Sequence, residues 1–181
     1  TKNEHAEQLH QMEKIAKSVQ SMLSAAIEDS ALISTSLYMD NSLQDFVSRQ
    51  YASPQDYFSS YREYIRNSLL QGVSRITNSV IRVYADNETL INGSEFARLS
   101  TVSQEPWYQQ YTADGYSPRL LFSYDETDGR QVLFLRGMNG LYSDKAECLL
   151  CIEINYSTLD RDFQNMGYND SVYVCSGNRI L

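Results

Sequence analysis

The first quarter of the chain carries apolar residues at alternating spacings of three and four. Between about Glu4 and about Phe46, one seam of positions is almost entirely apolar, and no Pro or Gly occurs before Pro54. The seam consists of Leu9, Met12, Ala16, Val19, Leu23, Ala26, Ser30, Ile33 and Leu37. This near-heptad period predicts one long amphipathic helix, which at about 1.5 Å per residue would reach roughly 60 Å. Further apolar residues beside the seam favour packing on the helix's own domain, and a coiled coil with a second copy stays open.

A second helix is predicted to begin at Pro54. Ser53 can cap it, Pro54 suits a first helical turn, and Asp56 occupies the acidic position of a capping box. We expect this helix to end between Gly72 and Arg75, so that residues 1–75 form a helical spine and a second helix.

From Asn78 the apolar period changes to two, which predicts strands. The predicted strands cover 79–85, 89–94, 119–124, 131–136 and 147–155, with a helix opening at Pro106 and an Asp-Gly hairpin tip at 128–129. We therefore expect an α+β fold, in which a long N-terminal helix packs across one five-stranded antiparallel sheet within residues 76–157. Residues 158–181 then supply a linker helix capped by Ser157 and a strand–turn–strand that starts a further module.

The overall charge argues against a nucleic-acid partner. The chain has 181 residues and a formal net charge of -8, and its sequence pI is about 4.7. Phosphate binding needs a basic patch, and no cluster of Lys and Arg provides one.

No combination of residues predicts catalysis, a metal site or a cofactor. His5 and His10 both lie on the first helix without sharing a face, and no phosphate-binding Gly-rich loop occurs. Cys148 and Cys151 lie three apart in a predicted strand, so their side chains should point to opposite faces. Acids at the hairpin tip are expected to be solvated turn residues rather than a cation site, namely Asp125, Glu126 and Asp128.

Polar and aromatic residues on the strands and on the Pro106 helix predict a small-molecule pocket. An Arg or Tyr among apolar strand neighbours must find a partner or water. The candidate ligand-binding residues are Arg82, Tyr84, Trp107, Tyr108, Tyr124 and Arg136. The alternative is that Trp107 belongs to the core and the two arginines end their strands at the surface.

The order of these elements resembles the extracellular Cache (PAS-like) sensor domains of bacterial receptors, and it is most similar to the double-Cache sensors of YesM-like histidine kinases. The resemblance covers nearly the whole chain. It is carried by the long N-terminal helix, the strand at 76–86, Glu105-Pro-Trp107-Tyr108, the core strands and exit helix at 133–137 and 150–159, and the strand–turn–strand at 172–181. It implies a PAS-like sheet that senses a ligand and passes a signal through the long helix of a two-component kinase.

The resemblance also implies a membrane context and a ligand. The chain starts without Met and ends inside an apolar run, so we expect an excised extracellular part of a Gram-positive cell-membrane protein, with two flanking membrane helices and most of a second module removed. The implied partners are a small polar ligand, such as a saccharide, and a second copy joined through the N-terminal helix. Amino-acid-binding relatives carry an Arg where this chain has Glu105, which disfavours an amino-acid carboxylate.

Two function classes are therefore expected from the sequence. The first is a ligand-sensing domain of a sensor kinase. The second is a ligand-free interaction or dimerisation module of a membrane receptor, either a chemoreceptor or a kinase. In a bacterial protein the Asn-X-Ser/Thr sequons would have no role, and they begin at Asn87, Asn92, Asn155 and Asn169.

Overall fold

A computed structural model describes residues 2–77, 79–125, 129–138, 147–166, 175–176 and 179–180. The helices are α1 (Lys2–Tyr38), α2 (Asn41–Ser48), α3 (Pro54–Arg66), α4 (Leu69–Thr77), α5 (Pro106–Ala113) and α6 (Tyr156–Asn165). The strands are β1 (Val80–Ala85), β2 (Phe96–Arg98), β3 (Arg119–Asp125), β4 (Gly129–Gly137), β5 (Cys148–Ile154), β6 (Cys175–Ser176) and β7 (Arg179–Ile180). The acids Glu126 and Asp128, the side chain of Asp125 and the loop at 139–146 lie outside the described residues.

The predicted single helix from about Glu4 to about Phe46 is wrong in one respect, because the chain turns at Asp40. The Asp40 side chain accepts hydrogen bonds from the backbone N–H groups of Ser42 (2.9 Å) and Leu43 (3.3 Å), which caps α2. The turn lets α2 bury Leu43 and Phe46 instead of continuing along α1. A cap and a buried face together outweigh the uninterrupted helical pattern.

The second predicted helix is likewise two helices. It begins at Pro54 with the Ser53 cap, as predicted, and the Ser53 hydroxyl accepts from the Asp56 N–H at 3.2 Å. It ends at Arg66, and the Ser68 hydroxyl then accepts from the Gln71 N–H (3.3 Å) at the start of α4. The next helix ends at Thr77, slightly beyond the predicted range.

The sheet has five strands, as predicted, but it is mixed rather than antiparallel. Its order is β2-β1-β5-β4-β3, and β1 and β2 run parallel while the other pairs are antiparallel. The predicted strand at 89–94 is not formed, because that segment returns the chain alongside β1 to the level of Val83. Strand β2 then begins at Phe96, opposite Val83, in the same direction as β1.

Two apolar clusters lie on opposite faces of this sheet. On the first, here called the α1 face, Ile81, Ile152 and Phe134 pack with Leu37 of α1 and with residues of α2, α3 and α4. On the second, the α5 face, Tyr84, Leu133 and Cys151 pack with Trp107 and Tyr111 of α5. Cys148 belongs to the first cluster and Cys151 to the second, which confirms that they point to opposite faces.

Only the last part of α1 packs on the sheet. Leu37 and Ser34 are fully buried, whereas every side chain from residue 3 to residue 14 is exposed. Leu9 is 50% and Met12 64% exposed, although both belong to the apolar seam. The long helix therefore joins a segment packed on the sheet to a solvent-exposed segment at residues 3–14, although Val19 of the seam is buried.

The last elements agree with the expected order. The predicted helix after β5 is present as α6, but it begins at Tyr156, so Ser157 lies inside the helix and does not cap it. Strands β6 and β7 pair antiparallel, with Cys175 opposite Ile180, as the predicted strand–turn–strand requires. The proposed division at residues 75 and 157 stays a prediction, although helices α1 to α4 share one core with the sheet.

Candidate functional site

A cavity of about 170 Å³ opens on the α5 face of the sheet. Its walls come from β1, β4, β5 and the segment that leads into α5. The lining residues are Val80, Arg82, Tyr84, Val102, Glu105, Trp107, Gln131, Leu133, Cys151 and Glu153.

Strand register explains why these residues meet. Arg82 pairs with Cys151, and Val80 pairs with Glu153, which in turn pairs with Leu133. Directly paired residues of neighbouring strands point to the same face. Three adjacent strands therefore present a mixed polar and apolar surface at one place.

Aromatic rings form one side of the cavity. Trp107 is only 8% exposed and belongs to the core of the α5 face. Its ring centroid lies 6.1 Å from that of Tyr84, with the planes tilted by 48°. The core interpretation of Trp107 and the pocket interpretation both hold, because the same ring packs on the sheet and lines the cavity.

A guanidinium group and two carboxylates line the cavity beside these rings. Burial lowers the pKa of Arg82, but a hydrogen bond with Tyr84 and the nearby Glu153 carboxylate raise it, and the net direction is upward. Burial also raises the pKa of Tyr84, which keeps its hydroxyl neutral. Glu105 is the exposed residue before α5 and makes no side-chain capping bond.

Cys151 contributes a neutral thiol to the cavity wall. Burial, together with the negative charge of Glu153, raises its pKa to about 12. The thiolate is the nucleophilic form of cysteine. At neutral pH this side chain therefore behaves as a small apolar group.

Tyr108 lies next to the cavity but does not line it. It borders a smaller recess together with Tyr116, Glu147 and Leu149. Its ring is perpendicular to that of Trp107, at a centroid distance of 6.0 Å. Burial and the nearby Tyr116 raise its pKa.

Tyr124 and Arg136 are not brought to the cavity, because both lie on the α1 face. Tyr124 is 72% exposed and lies on the same face of β3 as Leu120, which packs against the α1-face cluster. Arg136 donates hydrogen bonds to the hydroxyl groups of Ser34 (3.1 Å) and Thr35 (2.8 Å) on α1. Alternation along each strand indicated these two residues, but only the register assigns them to the opposite face.

The sequence interpretation also missed residues that the cavity contains. Glu153 and Gln131 were not among the candidates, and Glu105 was singled out only as a departure from relatives. Glu153 lies two residues after Cys151 on β5, so strand alternation places both side chains on one face and could have indicated Glu153. Gln131 needed the pairing of β4 with β5, which no local pattern supplies.

The described part of the chain holds neither a cluster of metal ligands nor a membrane-spanning helix. In those residues no group of three or more His, Cys, Asp and Glu side chains could hold a metal ion. None of the helices that the structure describes is both long enough and apolar enough to cross a membrane.

No protein-family model matches the chain, and no curated protein sequence matches it.

Proposed function

We propose that this chain is the extracellular ligand-sensing domain of a transmembrane sensor histidine kinase, and that it binds a small polar ligand in the α5-face cavity. The observation that carries the proposal is a cavity with aromatic, cationic and anionic walls, lying opposite the face on which α1 packs. The PAS-like character of the sheet, the Gram-positive cell-surface location and the flanking membrane helices rest on the resemblance and belong to the same proposal.

The lining of the cavity supports a saccharide as the ligand. The side chains of Tyr84 and Trp107 line the cavity and provide apolar contact for a sugar ring, and Arg82, Glu105 and Glu153 can bind hydroxyl groups. The cavity of about 170 Å³ is smaller than the roughly 300–1,000 Å³ of sites for drug-sized ligands. A ligand of about the size of a monosaccharide is therefore favoured.

The packing of α1 supports a signalling role for the cavity. A ligand shifts an equilibrium only by its difference in affinity for two states. Closure of α5 over a ligand would favour one arrangement of the sheet on α1 over another. The solvent-exposed N-terminal part of α1 would carry that difference away from the sheet.

Fluorescence of Trp107 provides a direct test, because it is the single Trp of the chain. We expect at least one member of a panel of mono- and disaccharides to change the fluorescence emission of Trp107 in a saturable manner. Arg82→Gln and Glu105→Gln should each weaken that binding about tenfold, since hydrogen bonds to charged groups contribute roughly 1.5–3 kcal/mol.

Glu63→Gln is the matched control, because Glu63 is an exposed carboxylate on α3 and does not line the cavity. It should leave the affinity unchanged. A complete lack of response across the saccharides, together with a panel of other small polar metabolites, would overturn the sensing proposal.

The second candidate is a dimerisation module without a small ligand. It is favoured by the exposure of Leu9 and Met12 on the seam of α1. Met12→Cys, in a membrane-anchored form with Cys175 replaced by Ser, should then give a rapid disulfide cross-link between copies. Cross-linking without any ligand response would favour the dimerisation module. If no position between Leu9 and Val19 gives a cross-link, dimerisation through the seam of α1 is ruled out.

A further inference from the structure

Two consecutive residues at the end of β4 bind helices on opposite faces of the sheet. On the α1 face, the Arg136 guanidinium donates to Ser34 and Thr35 and lies 4.8 Å from the centroid of the Tyr38 ring. All three partners belong to the last two turns of α1. Arg136 therefore holds the segment of α1 that packs on the sheet.

On the α5 face, the next residue holds the helix that borders the cavity. The backbone N–H of Gly137 donates to the Tyr111 hydroxyl at 2.7 Å, and that hydroxyl donates to the Tyr116 carbonyl, also at 2.7 Å. Tyr111 is fully buried and lies one turn after Trp107 on α5. A movement of α5 would therefore change the position of the group to which Gly137 is bound.

The backbone between these two contacts has little freedom to absorb a displacement. Arg136 and Gly137 pair with Leu150 and Leu149 of β5, and the preceding Leu135 pairs with Arg119 of β3. Leu135 and Leu150 are fully buried. A shift at Gly137 is thus passed to Arg136 more readily than it is absorbed locally.

We infer that Arg136 and Gly137 couple α5 to α1, so that Arg136 is a positioning residue for signal transmission. This coupling would connect the proposed sensing cavity to α1. That a bound ligand is the signal rests on the proposed function. The contacts that provide the coupling are present in the chain without a ligand. Coupling is demonstrated when one substitution changes the behaviour of both α1 and α5.

Amide hydrogen exchange on the whole chain tests this coupling. Arg136→Gln removes the guanidinium, and Tyr111→Phe removes only the hydroxyl that binds Gly137. We expect each variant to speed exchange at least about fivefold in both helices, at residues 30–38 of α1 and 108–113 of α5. Exchange in α3 should stay at the wild-type rate, which separates coupling from a general loss of stability.

Arg49→Gln provides the matched control. Arg49 also combines a hydrogen bond to a partner, Asp56 at 2.9 Å, with a position 5.4 Å from a tyrosine ring centroid, but it does not lie on β4. It should change exchange only near α3 and leave α5 unchanged.

A milder variant covers the case in which Arg136→Gln does not fold. Thr35→Val removes one acceptor of Arg136 and keeps the side-chain shape, and it should produce the same pattern with a smaller amplitude. The inference is overturned if Arg136→Gln or Thr35→Val affects only α1 while Tyr111→Phe affects only α5. The exchange experiment needs no ligand, so its outcome is independent of the binding test. Coupling without binding of any saccharide or other small polar metabolite would contradict the proposed function alone. Binding without coupling would contradict this inference alone.

Discussion

Single buried polar groups join distant segments of this protein. The side-chain amide of Asn87 donates to the carbonyl oxygens of Val47 (2.9 Å) and Arg49 (2.8 Å). Its oxygen accepts from the N–H (3.0 Å) and the hydroxyl (2.7 Å) of Thr89. Asn87 is 2% exposed, so this first sequon asparagine serves the fold rather than the surface.

We predict that Asn87→Ala lowers the free energy of unfolding by about 3 kcal/mol, because several buried backbone groups lose their partner together. Urea denaturation measures this change. Asn92→Ala is the comparison, since exposed Asn92 accepts one bond, from the Arg98 N–H at 2.9 Å. The loss of unfolding free energy in Asn92→Ala should stay below about 1 kcal/mol. Equal losses at the two positions would contradict the structural role of Asn87.

A second residue-scale prediction concerns Tyr64, whose buried hydroxyl has no hydrogen-bond partner among the described residues. Its ring stacks on Phe46 at a centroid distance of 5.1 Å. Tyr64→Phe keeps that ring and should leave stability unchanged or raise it by up to about 1 kcal/mol.

Tyr51→Phe serves as the contrast for this measurement. The Tyr51 hydroxyl donates to the Phe46 carbonyl at 2.6 Å, so its removal should cost about 1 kcal/mol. Thermal unfolding under one condition compares the stabilities of the Tyr64→Phe and Tyr51→Phe variants. A Tyr64→Phe variant that is the less stable of the two would show that the Tyr64 hydroxyl has a partner.

At the scale of elements, helix ends are set by caps that compete with the apolar pattern. No Pro or Gly interrupts the helical sequence between Leu37 and Phe46, yet the Asp40 cap starts a new helix whose apolar side faces the core. The same competition divides the segment after Pro54 into α3 and α4. Turns placed by capping allow short helices to cover the α1 face from different directions.

We predict that Asp40→Ala lowers the free energy of unfolding by about 1 kcal/mol, as is typical for loss of a helix cap. Asp40→Asn keeps an oxygen that can accept from the Ser42 and Leu43 N–H groups, and it should retain most of the stability. Urea denaturation of the two variants separates capping from charge. Equal losses in both would indicate that the negative charge of Asp40 matters more than its hydrogen bonds.

At the scale of the whole molecule, the sheet separates two surfaces of different composition. The α1 face is a thick apolar core under four helices, whereas the α5 face combines a smaller core with a polar cavity. Titratable groups are buried on both faces, where burial disfavours their charged forms. Burial raises the pKa values of Cys148 and Cys151, and those of Tyr51 and Tyr57, to about 12.

We therefore predict that stability falls as pH rises above about 9. The ordinary pKa values are 9.0 for the cysteines and 10.0 for the tyrosines, so the unfolded chain loses these protons first. Their stabilising contribution is complete below pH 9 and is lost as pH approaches about 12. Urea midpoints at pH 7, 9 and 10.5 should show this decline.

Variants can identify the groups responsible for the alkaline decline. A chain with both Cys148→Ala and Cys151→Ala should show a weaker decline between pH 9 and 10, where the tyrosines contribute little. In the native protein at pH 8, a thiol reagent should leave Cys148 and Cys151 unmodified until denaturant is added. Rapid modification of either residue without denaturant would contradict the raised pKa values.

The sequence alone determined the elements whose signals are local. The change of apolar period, the Ser53 cap and the prolines at 54 and 106 predicted α3, α5 and most strands, because propensity and capping depend on neighbouring residues. It also indicated three cavity residues, Arg82, Tyr84 and Trp107, since alternation sets their faces within one strand or helix.

Only the tertiary structure decided the parallel pairing of β1 and β2, the turn at Asp40 and the distribution of candidates between the two faces. Pairing and register depend on contacts between segments far apart in sequence. For that reason Tyr124 and Arg136, aligned correctly within their strands, were assigned to the wrong face, and Glu153 was overlooked. A site that draws residues from several strands exists only once their register is set.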